Sequence, residues 1–377
     1  MKRAALHLLS AFCAGLALFA PRHSLAQSSQ TRSEALPALI AEALNDPKIP
    51  AMGLLVIRHG VIAEQAVDGV RAAGKPDRVT REGRWHIGSD AKAMTATMVA
   101  RLVERGVLSW TTPLSRLLPE VAMRPEYRDV TLVDLLSHRA GLRDLDDTGD
   151  AKMIAQAFAD RRPLPTQRQD FARQVLNEPP IGSARAASAY SNSDYVLAGA
   201  IAERATGKTF EVLMQQEVFR PLGMKVDFQP YAGGEILGHK AGKPLVGLQA
   251  DNPPLFAPAG AVRLTLRDWA AFAIDQMAGE RGQGRLLAAS TYVLLHKPQG
   301  DTAAALGWGV RTTWPKTAPI RMLTHAGSNG YSTALIALAP DQMGGVLVAA
   351  NAGEGTEVEA VESTLLIKLM TGIVAGD

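Results

Sequence analysis

A single cysteine, Cys13, stands in a chain of 377 residues, and it lies close to the N-terminus. A disulfide framework, a cysteine-ligated metal and a thiolate nucleophile in the body of the chain are thereby excluded. Charge is sparse and balanced, with 20% charged residues and a formal net charge of +3. That composition lacks the basic excess of a nucleic-acid binder and the net charge of a disordered chain. Glycine, at 34 residues, is far below the one in three of a collagen-like chain. There is no H-E-x-x-H zinc motif, no G-x-S-x-G elbow and no phosphate-binding P-loop, so zinc peptidase, α/β-hydrolase and nucleotide-binding chemistry have no carrier. What is present is 47% apolar content over a length suited to two or three domains, or to one large core with an insertion.

The +3 charge is concentrated at one end. Lys2 and Arg3 precede a mostly apolar stretch from Ala4 to Ala20, and Ser24-Leu25-Ala26 supplies small residues before Gln27. This is the layout of a secretory signal peptide over residues 1–26, cleaved after Ala26. Cleavage removes Lys2, Arg3 and Arg22 from 40 basic side chains and none of the 37 acidic ones, which leaves a neutral chain without Cys13. A lipoprotein reading of Cys13 meets bulky Phe12 where a small residue is needed. The apolar stretch, interrupted by His7 and Ser10, is short for a span of about 20 residues; an uncleaved anchor is the alternative. The expected location is periplasmic or secreted, with no stable membrane span after cleavage.

Apolar spacing predicts a helix from Glu34 to Leu44, then a hairpin of strands Met52 to Ile57 and Val61 to Val67. Trp85 to Gly88 reads as a short extended piece, followed by a helix from Ser89 to near Gly106 with Ser89 as its N-cap and Met94, Met98, Leu102 and Val103 on its apolar face. Helical patterns and loops dominate the middle, including Val130 to Leu136 and Tyr195 to Thr206. Strand signals return at Leu306 to Thr313, Arg321 to Thr324, Ser332 to Leu338 and Gly344 to Ala350, before an amphipathic helix over Glu357 to Ile373. The expected fold class is α/β. An antiparallel sheet is flanked by N- and C-terminal helices and assembled from residues 27–107 and 304–377, with a mostly helical subdomain inserted over 108–303.

Three short motifs carry candidate chemistry. Ser89 and Lys92 stand at i and i+3, which places both side chains on one helix face and a base beside a hydroxyl nucleophile. Alone, the pair reads rather as a cap serine with a solvated lysine. Tyr190-Ser191-Asn192 precedes a helix and offers a phenol for proton transfer and an amide for a carbonyl, or merely a structural cap. His325-Ala326-Gly327-Ser328 ends a strand, where small residues permit a substrate to pair along the strand edge and the Ser328 amide is a candidate oxyanion donor; the alternative is a tight turn with an incidental histidine.

In this order the motifs resemble those of the serine β-lactamase and penicillin-binding-protein superfamily: S-x-x-K, then Y-x-N, then H-x-G. The Y-x-N form points to the branch with class C β-lactamases, D-alanyl-D-alanine carboxypeptidases, D-aminopeptidases and β-lactamase-like esterases. Trp85 to Gly88, Leu135 to Leu142, Pro258-Ala259-Gly260 and Leu306 to Gly309 are similar phrases. The resemblance extends from about Pro37 to the C-terminus. It implies Ser89 as acylated nucleophile, Lys92 and Tyr190 as its proton-transfer partners, the amides of Ser89 and Ser328 as oxyanion hole, and Asn192, His325 and Gly327 as substrate contacts. It implies no cofactor and no metal, and as substrate a small ester, amide or β-lactam, or a peptidoglycan-derived peptide, with no nucleic-acid partner. Many penicillin-recognising relatives carry lysine at the place of His325, so a histidine there favours esters or uncharged amides. Arg311 or Arg321 is a candidate replacement charge, against the reading that both are solvated. The expected activity is that of an esterase or a D-amino-acid amidase or carboxypeptidase, with a true β-lactamase and a catalytically silent binding protein as rivals. His138 is expected to be structural, near a helix end capped by Gly141. The acidic group Asp144, Asp146, Asp147 and Asp150 lacks the glycine and distal glutamate of a calcium loop and reads as a solvated loop.

Overall fold

Met52, Leu54 and Val56 belong to one apolar cluster and Ala51, Leu55 and Ile57 to another, and all six are buried. A strand apolar on both faces must be covered on both sides. The computed structural model, which describes residues 36–145, 150–226, 228, 235–247, 251–313 and 320–375, shows how. Residues 35–377 cluster as one compact unit; the expected leader over 1–26, with Cys13, lies outside the described residues.

In chain order the elements that build the site are α1 (Leu36–Ala43), β1 (Ala51–Arg58), β2 (Val61–Gly69), β3 (Trp85–His86), α2 (Ala91–Glu104), α3 (Leu132–Leu136), α4 (Leu164–Val175) and α5 (Asn192–Thr206). They are followed by β4 (Arg263–Leu264), α6 (Leu266–Gly279), β5 (Gly309–Arg311), β6 (Met322–Ser328), β7 (Thr333–Ala339), β8 (Gly344–Ala350) and α7 (Val358–Ala375). The main sheet runs β2-β1-β8-β7-β6-β5, every neighbour antiparallel. The strand from near the N-terminus thus lies between strands from both halves of the chain, and β1 pairs with β8 from Met52↔Ala350 to Ile57↔Gly345. Leu36, Leu39 and Ile40 of α1 and Leu365, Leu366, Leu369 and Met370 of α7 cover one face. Helix α2 and, from the middle segment, α6 cover the other. Fold class and terminal helices agree with the expectation. Among the described residues no helix is long and apolar enough to cross a membrane.

Three local expectations are corrected. Helix α2 is buried at eleven of its fourteen residues rather than amphipathic, because Ala91, Ala93, Ala96 and Ala100 let neighbours approach all around it. Ser89 does not cap it: residues Gly88–Asp90 form a 3₁₀ turn, and no side chain caps α2. The strand expected from Leu306 begins only at Gly309, because Gly307, at φ +83, turns the chain onto α2, where a Cβ would stand 2.7 Å from Ala93 Cα. Pairing of β5 with β6 accordingly stops at Gly309↔Thr324, so β5 does not extend along His325 to Ser328.

Candidate active site

The 3₁₀ turn brings Ser89 and Lys92 to the head of the buried helix α2. Ser89 Oγ lies 3.0 Å from Lys92 Nζ and 2.6 Å from Tyr190 Oη; its hydroxyl is engaged there instead of capping. Lys92 is fully buried, and besides Ser89 its ammonium reaches Asn192 Oδ1 at 2.7 Å and the Ala259 carbonyl at 2.7 Å. All three acceptors are uncharged. Burial therefore dominates and pushes Lys92 down from 10.5 to about 7, against the more distant pull of Asp144, Asp194 and Asp90. A neutral Lys92 keeps two hydrogens for Asn192 and Ala259 and turns its lone pair to the Ser89 hydroxyl.

Tyr190 and Asn192 arrive on the segment that starts α5, where Ser191 caps the helix by accepting the Ser193 amide. Gly207, left-handed at φ 69, ends it. Tyr190 Oη stands 3.5 Å from Asn192 Oδ1, and Lys92 Nζ lies 4.8 Å from the centroid of the Tyr190 ring. Burial raises the phenol well above its usual value, with Asp144, Asp90 and Asp194 adding to the effect and the hydrogen bond to Ser89 opposing it. Tyr190 is thus a neutral hydroxyl linking Ser89 to its surroundings, not a standing phenolate.

The third motif closes the site from the sheet. Gly327 and Gly88 allow an approach no other residue permits: a Cβ on Gly327 would fall 1.9 Å from the Ile87 carbonyl oxygen, and one on Gly88 (φ +50) would fall 2.3 Å from the Ser328 amide nitrogen. The amide of Ser328 is thereby laid against the turn that carries Ser89. His325 has a side chain only 9% exposed, with Nδ1 3.9 Å from Asp90 Oδ1. Burial and the nearby Lys92 push it down to about 3, so the imidazole is neutral. Asp90, fully enclosed, is pushed well upward by burial and then by Glu362, and neither of its oxygens has a hydrogen-bond partner among the described residues. The His325–Asp90 contact therefore sets a neutral imidazole beside a carboxyl whose ionisation burial opposes.

Several further residues surround this group. His138 is buried as expected, but the left-handed residue that directly follows α3 is His138 itself, at φ 57, and Gly141, left-handed at φ 78, comes three residues later. Its Nδ1 meets Asp194 Oδ2 at 2.8 Å and the Ser191 amide at 3.2 Å, and its ring lies 4.6 Å from that of Tyr190. The acidic group divides: Asp144 accepts the Asn192 amide at 2.7 Å, Asp150 pairs with Arg143 at 2.7 Å, and Asp146 and Asp147 lie outside the described residues. Arg321 is bound to both oxygens of Glu280 at 2.7 Å each, so it is neither solvated nor turned to the site. Arg311 lies on β5, whose pairing with β6 ends before His325. No group of three or more histidine, cysteine or acidic side chains suited to a metal occurs among the described residues. Sequence reasoning missed the Ala259 carbonyl, which has no side-chain signature, although the phrase Pro258-Ala259-Gly260 was its available signal.

The sequence model of the Beta-lactamase family matches residues 36–369. Among curated relatives, an unguisins hydrolase of Aspergillus campestris is 25% identical over 83% of this chain and 60% of its own length. A beta-lactamase of Escherichia coli K12 is 26% identical over 73% of this chain and 70% of that protein, and the esterase EstB of Burkholderia gladioli is 30% identical over 50% of each. The chain thus spans only 60% and 50% of the lengths of the first and last of these. A solved octameric penicillin-binding protein homologue from Pyrococcus abyssi superposes with a TM-score of 0.73 at 22% identity, covering 91% of this chain and 77% of that one, and at that identity it speaks for the fold alone. Through the family match over nearly all its described length, the chain belongs to the Beta-lactamase family.

Proposed function

We propose that the chain is an exported serine hydrolase that forms an acyl-enzyme on Ser89 and acts on esters or amides that present no carboxylate to His325. The observation that carries this reading is the buried Lys92, 3.0 Å from Ser89 Oγ, with only uncharged acceptors around it. Neutral Lys92 takes the Ser89 proton as Oγ attacks the substrate carbonyl carbon, and the oxyanion is received by the amides of Ser89 and Ser328. Collapse of the tetrahedral species breaks the bond to the leaving alcohol or amine, which receives the proton from Lys92 by way of the Tyr190 hydroxyl. Water then attacks the acyl carbon and gives a proton to the same pair; the bond from the acyl carbon to Ser89 Oγ breaks, Oγ takes that proton back, and the acid leaves. Asn192 holds Lys92 and meets the acyl side chain. The high position of the Tyr190 phenol supports Lys92 as the base and Tyr190 as the relay.

The neutral His325 supports ester or uncharged amide substrates over β-lactams, whose carboxylate needs a cation. The edge of β6 beyond Thr324, which β5 does not cover, supports a peptide amide as second reading, since an extended acyl chain can pair along it. The test is incubation of the mature protein with p-nitrophenyl butyrate, nitrocefin and a D-Ala-D-Ala peptide, with intact-mass detection of an adduct. Turnover of the ester and an adduct lost in Ser89→Ala are expected. An unmodified protein with no turnover of any of the three ends the proposal. Export rests on the Lys2 to Ala26 pattern, and N-terminal sequencing of the secreted protein should begin at Gln27.

A further inference from the structure

Two residues before Gly88, His86 sits in a buried group that the chemistry above does not use. Its Nδ1 accepts the Gly88 amide at 3.1 Å. An accepting Nδ1 places the ring hydrogen on Nε2, and Nε2 lies 2.7 Å from Asp251 Oδ1, off the straight line of a hydrogen bond. The other oxygen of Asp251 takes the Arg263 guanidinium at 2.5 Å. Residues His86 and Arg263 face each other across the β3–β4 pair, and the Ile87 amide continues the pairing to the Val262 carbonyl at 3.2 Å. Asp251 Oδ1 also accepts the Asn252 amide, and Asn252 Nδ2 donates to the Gly260 carbonyl at 2.8 Å. Gly260 in turn abuts the turn, where a Cβ would stand 3.2 Å from the Ser89 amide nitrogen. All three side chains are at least nine-tenths buried.

We propose that His86, held by Asp251 and Arg263, is a positioning residue that sets the left-handed Gly88 turn and so aims the Ser89 amide into the oxyanion hole. Gly88 needs an acceptor for its amide in a conformation where no helix or strand supplies one, and the imidazole supplies it from two residues upstream. The carboxylate of Asp251 fixes which nitrogen is free to accept. Burial acts to raise Asp251, but His86 and Arg263 hold it below the usual carboxylate range, so the clamp keeps its charge. This rests on the acyl-enzyme reading of Ser89.

His86→Ala and His86→Asn separate positioning from folding. An asparagine amide oxygen can replace Nδ1 as acceptor for Gly88, whereas alanine cannot. Misplacement of the hole by about an ångström costs about 10²-fold, so His86→Ala should lower kcat on p-nitrophenyl butyrate by about that factor. KM should stay within about threefold, because ground-state contacts are spared. Affinity for phenylboronic acid, whose tetrahedral adduct on serine places an oxygen in the hole, should fall with kcat. His86→Asn should recover most of both losses, with melting temperature monitored for each variant. Wild-type kcat and boronate affinity in His86→Ala, or equal losses in the two variants at equal melting temperature, overturns the proposal. A wild-type protein that turns over the ester and gives the Ser89 adduct while His86→Ala behaves normally leaves the Ser89 reading standing; no turnover and no adduct in wild type removes both.

Discussion

Ester hydrolysis should titrate with Lys92, and the magnitude follows from its surroundings. Burial brings the ammonium from 10.5 to about 7. At pH 8 about nine-tenths of such a lysine is neutral, against about 0.3% of an ordinary one, a gain of roughly 300-fold in available base. Because the neutral form does the work, kcat/KM should fall as pH drops, about tenfold from pH 8 to pH 6 and about 100-fold to pH 5. His325, near 3, and Tyr190, raised well above its usual value, do not titrate in that window. The assay is the initial rate on p-nitrophenyl butyrate from pH 5 to pH 10, read at the isosbestic wavelength of the product. Asn192→Asp sharpens the test, because its carboxylate would replace an uncharged acceptor 2.7 Å from Nζ. An anion at that distance raises a lysine by about 1–3 pH units, so the limb should move up by that amount and activity at pH 8 should drop while recovering near pH 10. Lys92→Arg cannot deprotonate and should lose about 10²–10⁴ in kcat together with the limb. A rate that is flat from pH 5 to pH 8, or an unmoved limb in Asn192→Asp, would refute the assignment of Lys92 as base.

Gly327→Ala should cut kcat by at least about 100-fold on all substrates, since its Cβ, 1.9 Å from the Ile87 oxygen, must drive β6 away from the nucleophile turn; near-normal rates in a folded variant would contradict the stated approach. His325→Lys adds a cation and should improve kcat/KM for nitrocefin and a D-Ala-D-Ala peptide relative to the neutral ester by roughly tenfold, the worth of one charge-assisted hydrogen bond; an unchanged ratio would remove His325 as the selectivity point. Glu362 is fully buried on α7 and raised from 4.5 to about 8, chiefly by burial. A carboxyl raised in the folded state makes stability fall as pH rises from 4.5 to 8, by up to about 1.4 kcal/mol per pH unit. Glu362→Gln should lack that decline, which urea denaturation from pH 5 to pH 9 would show as a growing gap; parallel curves would mean that Glu362 is ionised without cost.

The sheet was legible because its strands are marked by local features. β1, β7 and β8 are apolar on both faces, and the hairpin of β1 and β2 turns at Arg58-His59-Gly60, where His59 and Gly60 are left-handed as such a turn requires. The three motifs were legible in type and order, since each is a short string whose residues act at adjacent positions. What could not be read are contacts made across long separations by groups without a sequence signature. The Ala259 carbonyl meets Lys92 from 167 residues away, and Asp251 meets His86 from within the middle segment. Neither periodicity nor propensity reports such a pairing. The protonation states were equally hidden. A serine and a lysine three apart on an exposed helix would leave the lysine charged, and it is the covering of α2 that brings Lys92 down to about 7.

Why Lys92 escapes a salt bridge explains the acids around it. Asp144, Asp194 and Asp90 all lie close enough to act on Lys92, yet none touches it. Each sits elsewhere: Asp144 accepts the Asn192 amide, Asp194 meets His138, and Asp90 makes no hydrogen bond among the described residues. A direct carboxylate contact would hold the ammonium charged near or above 10.5 and leave Ser89 without a base. No acid within reach would let the buried amine fall further, until it was too weak to take a serine proton. The intermediate outcome near 7 requires carboxyls one layer away, and His138 and Asn192 are the residues that keep that layer in place. On the proposed mechanism, His138 and Asp144 would act on Lys92 at a distance, by holding carboxyls near the ammonium but off it.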